Sequence, residues 1–356
     1  MIFTLSPAFF YCIQFRRSHS VTFVLPIISI LLVLSFAVNQ ISFIEGSNSA
    51  NHTSSLATGG VFPSAMMYSN QPPDIDPEKG YAVIEIADGL YWVTTGNYEA
   101  MFLTTGEGVI AVDAPPTIGD NYLKAISKVT NETVTHLIYS HIHKDHIGAA
   151  NLFPDNITII ASEQTKDHLL MKNDSTRPIP TLTFEDSLIL SKGNQTLRLH
   201  QLGDFHSKGD IVVYAPNQKV VMATDMFHPK AGPFKSFATP DINVLLAVHD
   251  RILGLFDFDL ILTGHEPILG TPEDVKINKQ FMMSVLNNSK IALEQVNATE
   301  IMSQYDEPGE GFVAYNDALA NFCTDETLAQ WEARLSNLDI YMKDNCETMV
   351  SYARVD

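Results

Sequence analysis

A chain of 356 residues with 45% hydrophobic content can bury a sizeable core, in one large domain or two smaller ones. Its net charge of −19 argues against a nucleic-acid surface, which needs Lys and Arg in excess. None of its three cysteines, Cys12, Cys323 and Cys346, stands in a C-x-x-C spacing, which speaks against a thiolate zinc site.

Residues 1–40 read as a signal peptide or membrane anchor. Val21 to Val38 is almost uninterrupted apolar sequence behind Arg16 and Arg17. That length is near the lower limit for a membrane span, and the preceding basic residues favour export of everything after it. Ser35-Phe-Ala37 offers a small-x-small cleavage site, so anchor and cleaved signal both stay open. Residues 41–75, rich in Ser, Asn, Gly, Thr and Pro, read as a flexible linker, with order beginning near Tyr81. Asn-x-Ser/Thr sequons at Asn51, Asn131, Asn156, Asn173, Asn194, Asn287 and Asn297 fit an extracytoplasmic glycoprotein, anchored or secreted.

Residues 76–290 read as one folded domain. Tyr81 to Ala87 and Leu90 to Thr94 are strands joined by Asp88-Gly89, a strong hairpin dipeptide, and a second strand pair surrounds Thr105 to Gly108. A helix is predicted from about Thr117 to Val129, with Ile118, Tyr122, Ile126 and Val129 on one face. Leu137 to Tyr139 ends a strand, and Ile147 to Phe153 reads as the start of a helix. Strands follow near residues 157–161, 197–202, 211–214 and 220–223. Thr271-Pro-Glu-Asp274 is a helix start, with a Thr cap, Pro at the first position and acids in the first turn. Residues 291–356 read as a helical C-terminal extension, and an exported chain permits a disulfide between Cys323 and Cys346.

The chemistry concentrates in Tyr139-Ser-His-Ile-His-Lys-Asp-His-Ile-Gly148. His141, His143, Asp145 and His146 are imidazole and carboxylate donors of the kind zinc takes, on a strand-to-helix turn where neighbouring side chains can splay toward two centres. Three further candidates each follow a β-type run: His206 in Gly203-Asp-Phe-His-Ser-Lys-Gly-Asp210, Asp225 after Lys219 to Thr224, and His265 after Asp259 to Gly264. His136, His168, His200, His228 and His249 read as ordinary structural histidines, and Asp210 as a turn cap outside the site.

This H-x-H-x-D-H string and the later motifs resemble the metallo-β-lactamase superfamily over roughly residues 80–285. The resemblance implies an αββα sandwich of two mixed sheets flanked by helices. It implies that His141, His143 and His206 hold one zinc, that Asp145, His146 and His265 hold a second, and that Asp225 bridges them. Iron or manganese are alternatives to zinc. Asp113, at the end of Val109 to Val112, would orient the ligands from behind. The implied reaction is hydrolysis by a metal-bridging hydroxide, oriented by Asp145 and tuned by the bridging Asp225, of a small-molecule ester, lactone, thioester or amide, β-lactams included.

Asp225 resembles the glyoxalase II and lactonase members rather than true β-lactamases. The segment Met226 to Phe237 lacks the Gly-Cys-Gly-Arg-type stretch that holds glutathione, which disfavours a glutathione thioester. Phe227, Phe234 and Phe237 are candidates for an apolar substrate wall, and Lys230 or Lys235 for a carboxylate anchor. The alternative functions are an iron-dependent persulfide dioxygenase, whose ligands occupy the same positions, and a phosphodiesterase, which the acidic surface disfavours.

Overall fold

Alternating apolar residues divide the strands between separate interiors in the computed structural model, which describes residues 59–355. Strands β1 (Ala82–Ala87), β2 (Leu90–Thr94), β3 (Glu99–Thr104), β4 (Val109–Val112), β5 (Val134–Ile138), β6 (Thr158–Ser162) and β7 (Leu182–Phe184) form one sheet in that order. Pairing is antiparallel as far as β4 and parallel beyond it. Strands β8 (Ser187–Lys192), β9 (Gln195–His200), β10 (Val212–Ala215), β11 (Val220–Met222) and β12 (Leu260–Leu262) form a second sheet, ordered β12-β11-β10-β9-β8. Only its β11–β12 pair is parallel.

Strand β4 shows how the layers arise. Its side chains alternate between faces, as the two-residue period of a strand requires. Ile110 and Val112 face Leu199, Val213, Met222 and Leu262 of the other sheet in the space between them. Val109 and Ala111 pack outward against Tyr122, Ala125 and Ile126 of α1 (Asn121–Val129). A short helix α2 (Lys144–Ile147) and α3 (Glu163–Lys172) also lie on that side, through Ile147 and Leu169. On the second sheet, Val212, Tyr214, Val221 and Ile261 face α4 (Ile242–Leu255) and α5 (Pro272–Gln295). Helix, sheet, sheet and helix make an αββα sandwich. Each Leu, Ile or Val so buried stabilises it by about 1.5–3 kcal/mol.

Local sequence sets the helix starts. The Thr271 hydroxyl accepts the Asp274 amide while the Asp274 carboxylate accepts the Thr271 amide, a capping box with Pro272 in the first turn. Asp241 caps α4 by accepting the amides of Asn243 and Val244. Three more helices follow: α6 (Ala298–Met302), α7 (Pro308–Trp331) and α8 (Leu338–Val355). A disulfide joins Cys323 of α7 to Cys346 of α8.

Several expectations are corrected. Order does not begin near Tyr81, because the later part of the expected linker packs on the sandwich. The Phe62 amide donates to Ile86, the Leu269 amide to Tyr68, and the Tyr68 ring meets the buried Trp92 edge-on. The helix predicted from Thr117 starts at Asn121, after a tight turn in which Gly119 has φ +52. The helix predicted to start at Ile147 begins three residues earlier, at Lys144, and stops at Gly148, so Asp145 and His146 lie inside it. Gly148 sits where a Cβ would strike the Lys144 carbonyl at 2.2 Å.

The expected border at residue 290 falls within α5, and Leu319, Cys323, Met342 and Met349 of the C-terminal helices share the core of the second sheet's outer face. The extension is therefore continuous with the sandwich. The apolar run Val21 to Val38, with Arg16, Arg17, Cys12 and Asn51, lies outside the described residues. Among the described residues, no helix is long and apolar enough to cross a membrane. The other six sequon asparagines are all exposed.

Candidate metal centre

The strand ends of both sheets deliver the site. The β5–α2 turn carries His141 and His143, the first turn of α2 carries Asp145 and His146, and the loops after β9, β11 and β12 bring His206, Asp225 and His265. All seven side chains named from the sequence converge, in two groups whose donor atoms lie within 4.8 Å of one another. His141, His143, His206 and Asp225 form one, and Asp145, His146 and His265 the other.

Asp225 stands between the groups. Its Oδ2 lies 3.1 Å from His146 Nε2, 3.1 Å from His206 Nε2 and 3.5 Å from His141 Nε2, and its Oδ1 lies 3.3 Å from His265 Nε2. Asp145 Oδ2 is 3.5 Å from both His146 and His265. The histidine nitrogens also crowd each other, at 2.8 Å for His143 with His206 and 3.0 Å for His146 with His265.

Electrostatics follow from this crowding. Burial pushes the Asp225 carboxyl up, but His146, then His206 and His265, outweigh it and hold the group well below the usual carboxylate range. His265 is opposed by burial yet raised to about 10 by Asp145 and Asp225. Burial drives His141 well below the ordinary histidine value, aided by the neighbouring imidazoles. His141 Nε2 and Asp225 Oδ1 are buried without a hydrogen-bond partner. Orphaned lone pairs at the centre of such a cluster are what a divalent ion satisfies. The residues fit a metal.

Supporting groups hold the turns. Asp113 accepts the Ser140 amide at 2.8 Å and the Thr224 hydroxyl at 3.3 Å, tying the residue before His141 to the residue before Asp225. Arg177, paired with Asp174, donates to the Ile142 carbonyl at 2.6 Å inside the His-x-His turn. Sequence reading passes over Arg177, since nothing in a lone Arg beyond β6 points back to that turn. It also sets Asp210 aside. The Asp210 carboxylate accepts the amides of His206 and Ser207 and so shapes the loop that presents His206. Tyr98 escapes it as well: its ring lies against His146 and His265, and its hydroxyl donates to Asp145 at 3.4 Å.

A cavity of about 480 Å³ opens over the cluster, bordered by Tyr98, Asp145, His228, Phe234, Ala238 and Glu266. His228 is not merely structural in position: it lines this cavity with Nδ1 2.5 Å from Glu266 Oε1. Phe234 is half exposed on the rim, whereas Phe227 and Phe237 are buried in the core and form no wall. Neither lysine anchors a substrate carboxylate. Lys230 donates to the Ser69 carbonyl and to Asn70, and Lys235 pairs with Asp344 at 3.1 Å. The buried His249 bonds Leu245 and Asn278, away from the cluster.

Residues 93–265 match the family described as the metallo-beta-lactamase superfamily. That stretch of the chain is a domain of the superfamily. Among curated relatives, it is 27% identical over 204 residues to the 2,4-dinitroanisole O-demethylase subunit alpha of Nocardioides sp. (strain JS1661), covering 55% of this chain and 61% of that one. It is 25% identical over 165 residues to the metallo-beta-lactamase type 2 of Elizabethkingia meningoseptica, covering 44% of this chain and 63% of the relative. The chain thus spans about three-fifths of the length of these relatives, 61% and 63%. Among solved structures, a metallo-beta-lactamase from Pontibacter korlensis superposes with a TM-score of 0.51 at 19% identity, over 56% of this chain and 97% of that one. Metallo-beta-lactamase IND-7 superposes with a TM-score of 0.50 at 18% identity, over 56% and 96%. At such identity these two structures speak for the fold alone.

Proposed function

We propose that this chain is a metal-dependent hydrolase of small carbonyl compounds. His141, His143 and His206 hold one divalent ion, Asp145, His146 and His265 hold a second, and Asp225 is shared. The position of Asp225 carries the reading, because its oxygens stand 3.1–3.5 Å from imidazoles of both groups. Imidazole and carboxylate donors suit zinc, and iron or manganese accept them too. Ions held here supply a water acidic enough to ionise near neutral pH and a positive charge for the carbonyl oxygen of an ester, lactone, thioester or amide.

The side chains supply positioning and proton handling. Asp145 presents a carboxylate that is 44% exposed toward the cavity, where it can take the proton of the attacking water, and Tyr98 steadies it. His228, oriented by Glu266, offers a polar edge to the substrate, and Phe234 offers an apolar one.

Elemental analysis of the purified chain should find about two ions per molecule, the arithmetic of six terminal donors and one shared. Asp225→Asn should lose metal and turnover while keeping its fold, since Asn tolerates the left-handed backbone at this position, φ 60. A fully loaded wild type with one ion refutes the two-ion reading. A screen of lactones, thioesters, cephalosporins and 2,4-dinitroanisole, the last because a relative is named for its demethylation, then identifies the substrate class.

We further propose that the chain acts outside the cytoplasm. The Cys323–Cys346 disulfide and the six exposed sequons support this, since disulfides persist in oxidising compartments and N-glycans attach to exposed Asn. Native protein should lose mass on enzymatic deglycosylation; unchanged mass together with free thiols overturns the proposal.

A further inference from the structure

The C-terminal helix α8 reaches the metal centre through one buried side chain. Asn345 is 1% exposed, and its amide grips the segment that borders the cavity. The Oδ1 atom accepts the Phe237 amide at 2.9 Å, and the Nδ2 group donates to the Pro233 carbonyl at 3.2 Å. Around the Phe237 anchor the backbone enters an unfavourable conformation. Ser236, Phe237 and Ala238 have φ of 54°, 56° and 48°, left-handed values that side chains other than glycine disfavour when repeated along a chain. Such a run persists only where its surroundings over-determine it.

At the end of the run, the Ala238 carbonyl lies 2.7 Å from His206 Nδ1. That contact fixes both the ring orientation of His206 and its tautomer: Nδ1 carries the proton and Nε2, 3.1 Å from Asp225, keeps the lone pair a metal needs. We propose that Asn345 is a positioning residue for the metal centre, holding residues 233–238 so that the Ala238 carbonyl aims the imidazole of His206. The same helix props the cavity rim, where Tyr341 meets Phe234 edge-on with ring centroids 4.8 Å apart. The C-terminal helical region thus backs residues that border the cavity without lining it itself. The inference rests on His206 being a metal ligand.

The test uses the full chain loaded with Co2+, whose visible absorption reports ligand geometry and whose affinity is read by competition with a chromophoric chelator. Four variants are compared with wild type: His206→Ala, Asn345→Ala, Asn345→Asp and Leu319→Ala. The last truncates a buried side chain of α7 in the same helical core. Asn345→Ala should weaken Co2+ binding about tenfold, the low end of the effect of removing a group that orients a ligand, and should shift the absorption bands. Asn345→Asp keeps an oxygen for the Phe237 amide and, neutral when buried, a donor for Pro233, so it should restore most of the affinity. Leu319→Ala should lower the melting temperature with affinity and spectrum intact.

Wild-type affinity and spectrum in Asn345→Ala overturn the proposal. So does an equal loss in all three variants other than His206→Ala, which marks a purely structural effect. Should the alanine variant not fold, Asn345→Ser replaces it under the same criteria. Undiminished Co2+ binding in His206→Ala instead overturns the reading of the metal centre itself.

Discussion

Gly264 is the sharpest point at which to test how the site is packed. It precedes His265, has φ +97, and its carbonyl accepts the Glu99 amide at 3.0 Å. A Cβ there would stand 2.7 Å from Thr224 Cγ2, 3.0 Å from Asp225 Oδ1 and 3.1 Å from His146 Cε1. Comfortable carbon contacts need about 3.5–4.0 Å, so Thr224 must retreat by most of an ångström and Asp225 and His146 by less. Gly264→Ala therefore carries two costs. Placing a side chain at that φ costs about 1–3 kcal/mol, and overpacking a dense site about as much again, 1–3 kcal/mol.

Gly106 separates them. It has φ +82 but no atom within 4 Å of the place a methyl would take, so Gly106→Ala bears the backbone cost alone. The two variants should lose comparable stability from strain, but only Gly264→Ala should lose metal. About 1.4–2.8 kcal/mol of crowding falling on Asp225 and His146 corresponds to a 10- to 100-fold weaker affinity. Thermal melts and equilibrium dialysis with elemental analysis, run on one preparation of each, give both numbers. Equal metal content in the two variants would refute the claim that Gly264 is required by close approach to the ligands.

Two further outcomes are expected. Cys323→Ser opens a cross-link spanning 23 residues of sequence separation and should cost about 3 kcal/mol by loss of loop-closure restraint in the unfolded chain, read by denaturant titration against wild type; an unchanged midpoint contradicts it. His249 is held below the ordinary histidine value mainly by burial. Its neutral form is therefore the one that folds, and its contribution to stability is present above about pH 6.5 and lost as the pH falls below it, because the unfolded chain takes up a proton that the native state refuses. His249→Gln should flatten the fall in stability between pH 7 and 5, by at most about 1.4 kcal/mol per pH unit, and parallel curves for the two proteins dispose of the idea.

Much of the molecule is legible in the chain itself. The hairpin around Asp88-Gly89, the strands leading to His141, Asp225 and His265, and the capped start of α5 are each written in local patterns of alternation, turn residues and caps. The ligand candidates stand out because four donors crowd one short turn and the other three each close an apolar run. Local pattern is a poorer guide where a segment owes its order to distant partners. The Ser- and Pro-rich stretch before Tyr81 reads as unstructured, yet Tyr68 finds Trp92 and Leu269 to pack and bond with. Lys230, Lys235, Phe227 and Phe237 are candidates for meeting a substrate by residue type alone, and the fold occupies them with Ser69, Asp344 and the core.

Neighbouring residues alone specify the set of chemical groups and the order of strands that carry them, because strand period, turn chemistry and ligand type are local properties. Which groups hold those side chains in place was settled by the tertiary fold. Asp113 accepts the Thr224 hydroxyl from 111 residues away, Arg177 returns to the carbonyl of Ile142, and Asn345 reaches Phe237 from 108 residues away. A hydrogen bond across such a separation leaves no periodicity or spacing for a reader of the sequence to find. It exists because packing two sheets between layers of helices brings the strand ends and α8 to the same rim.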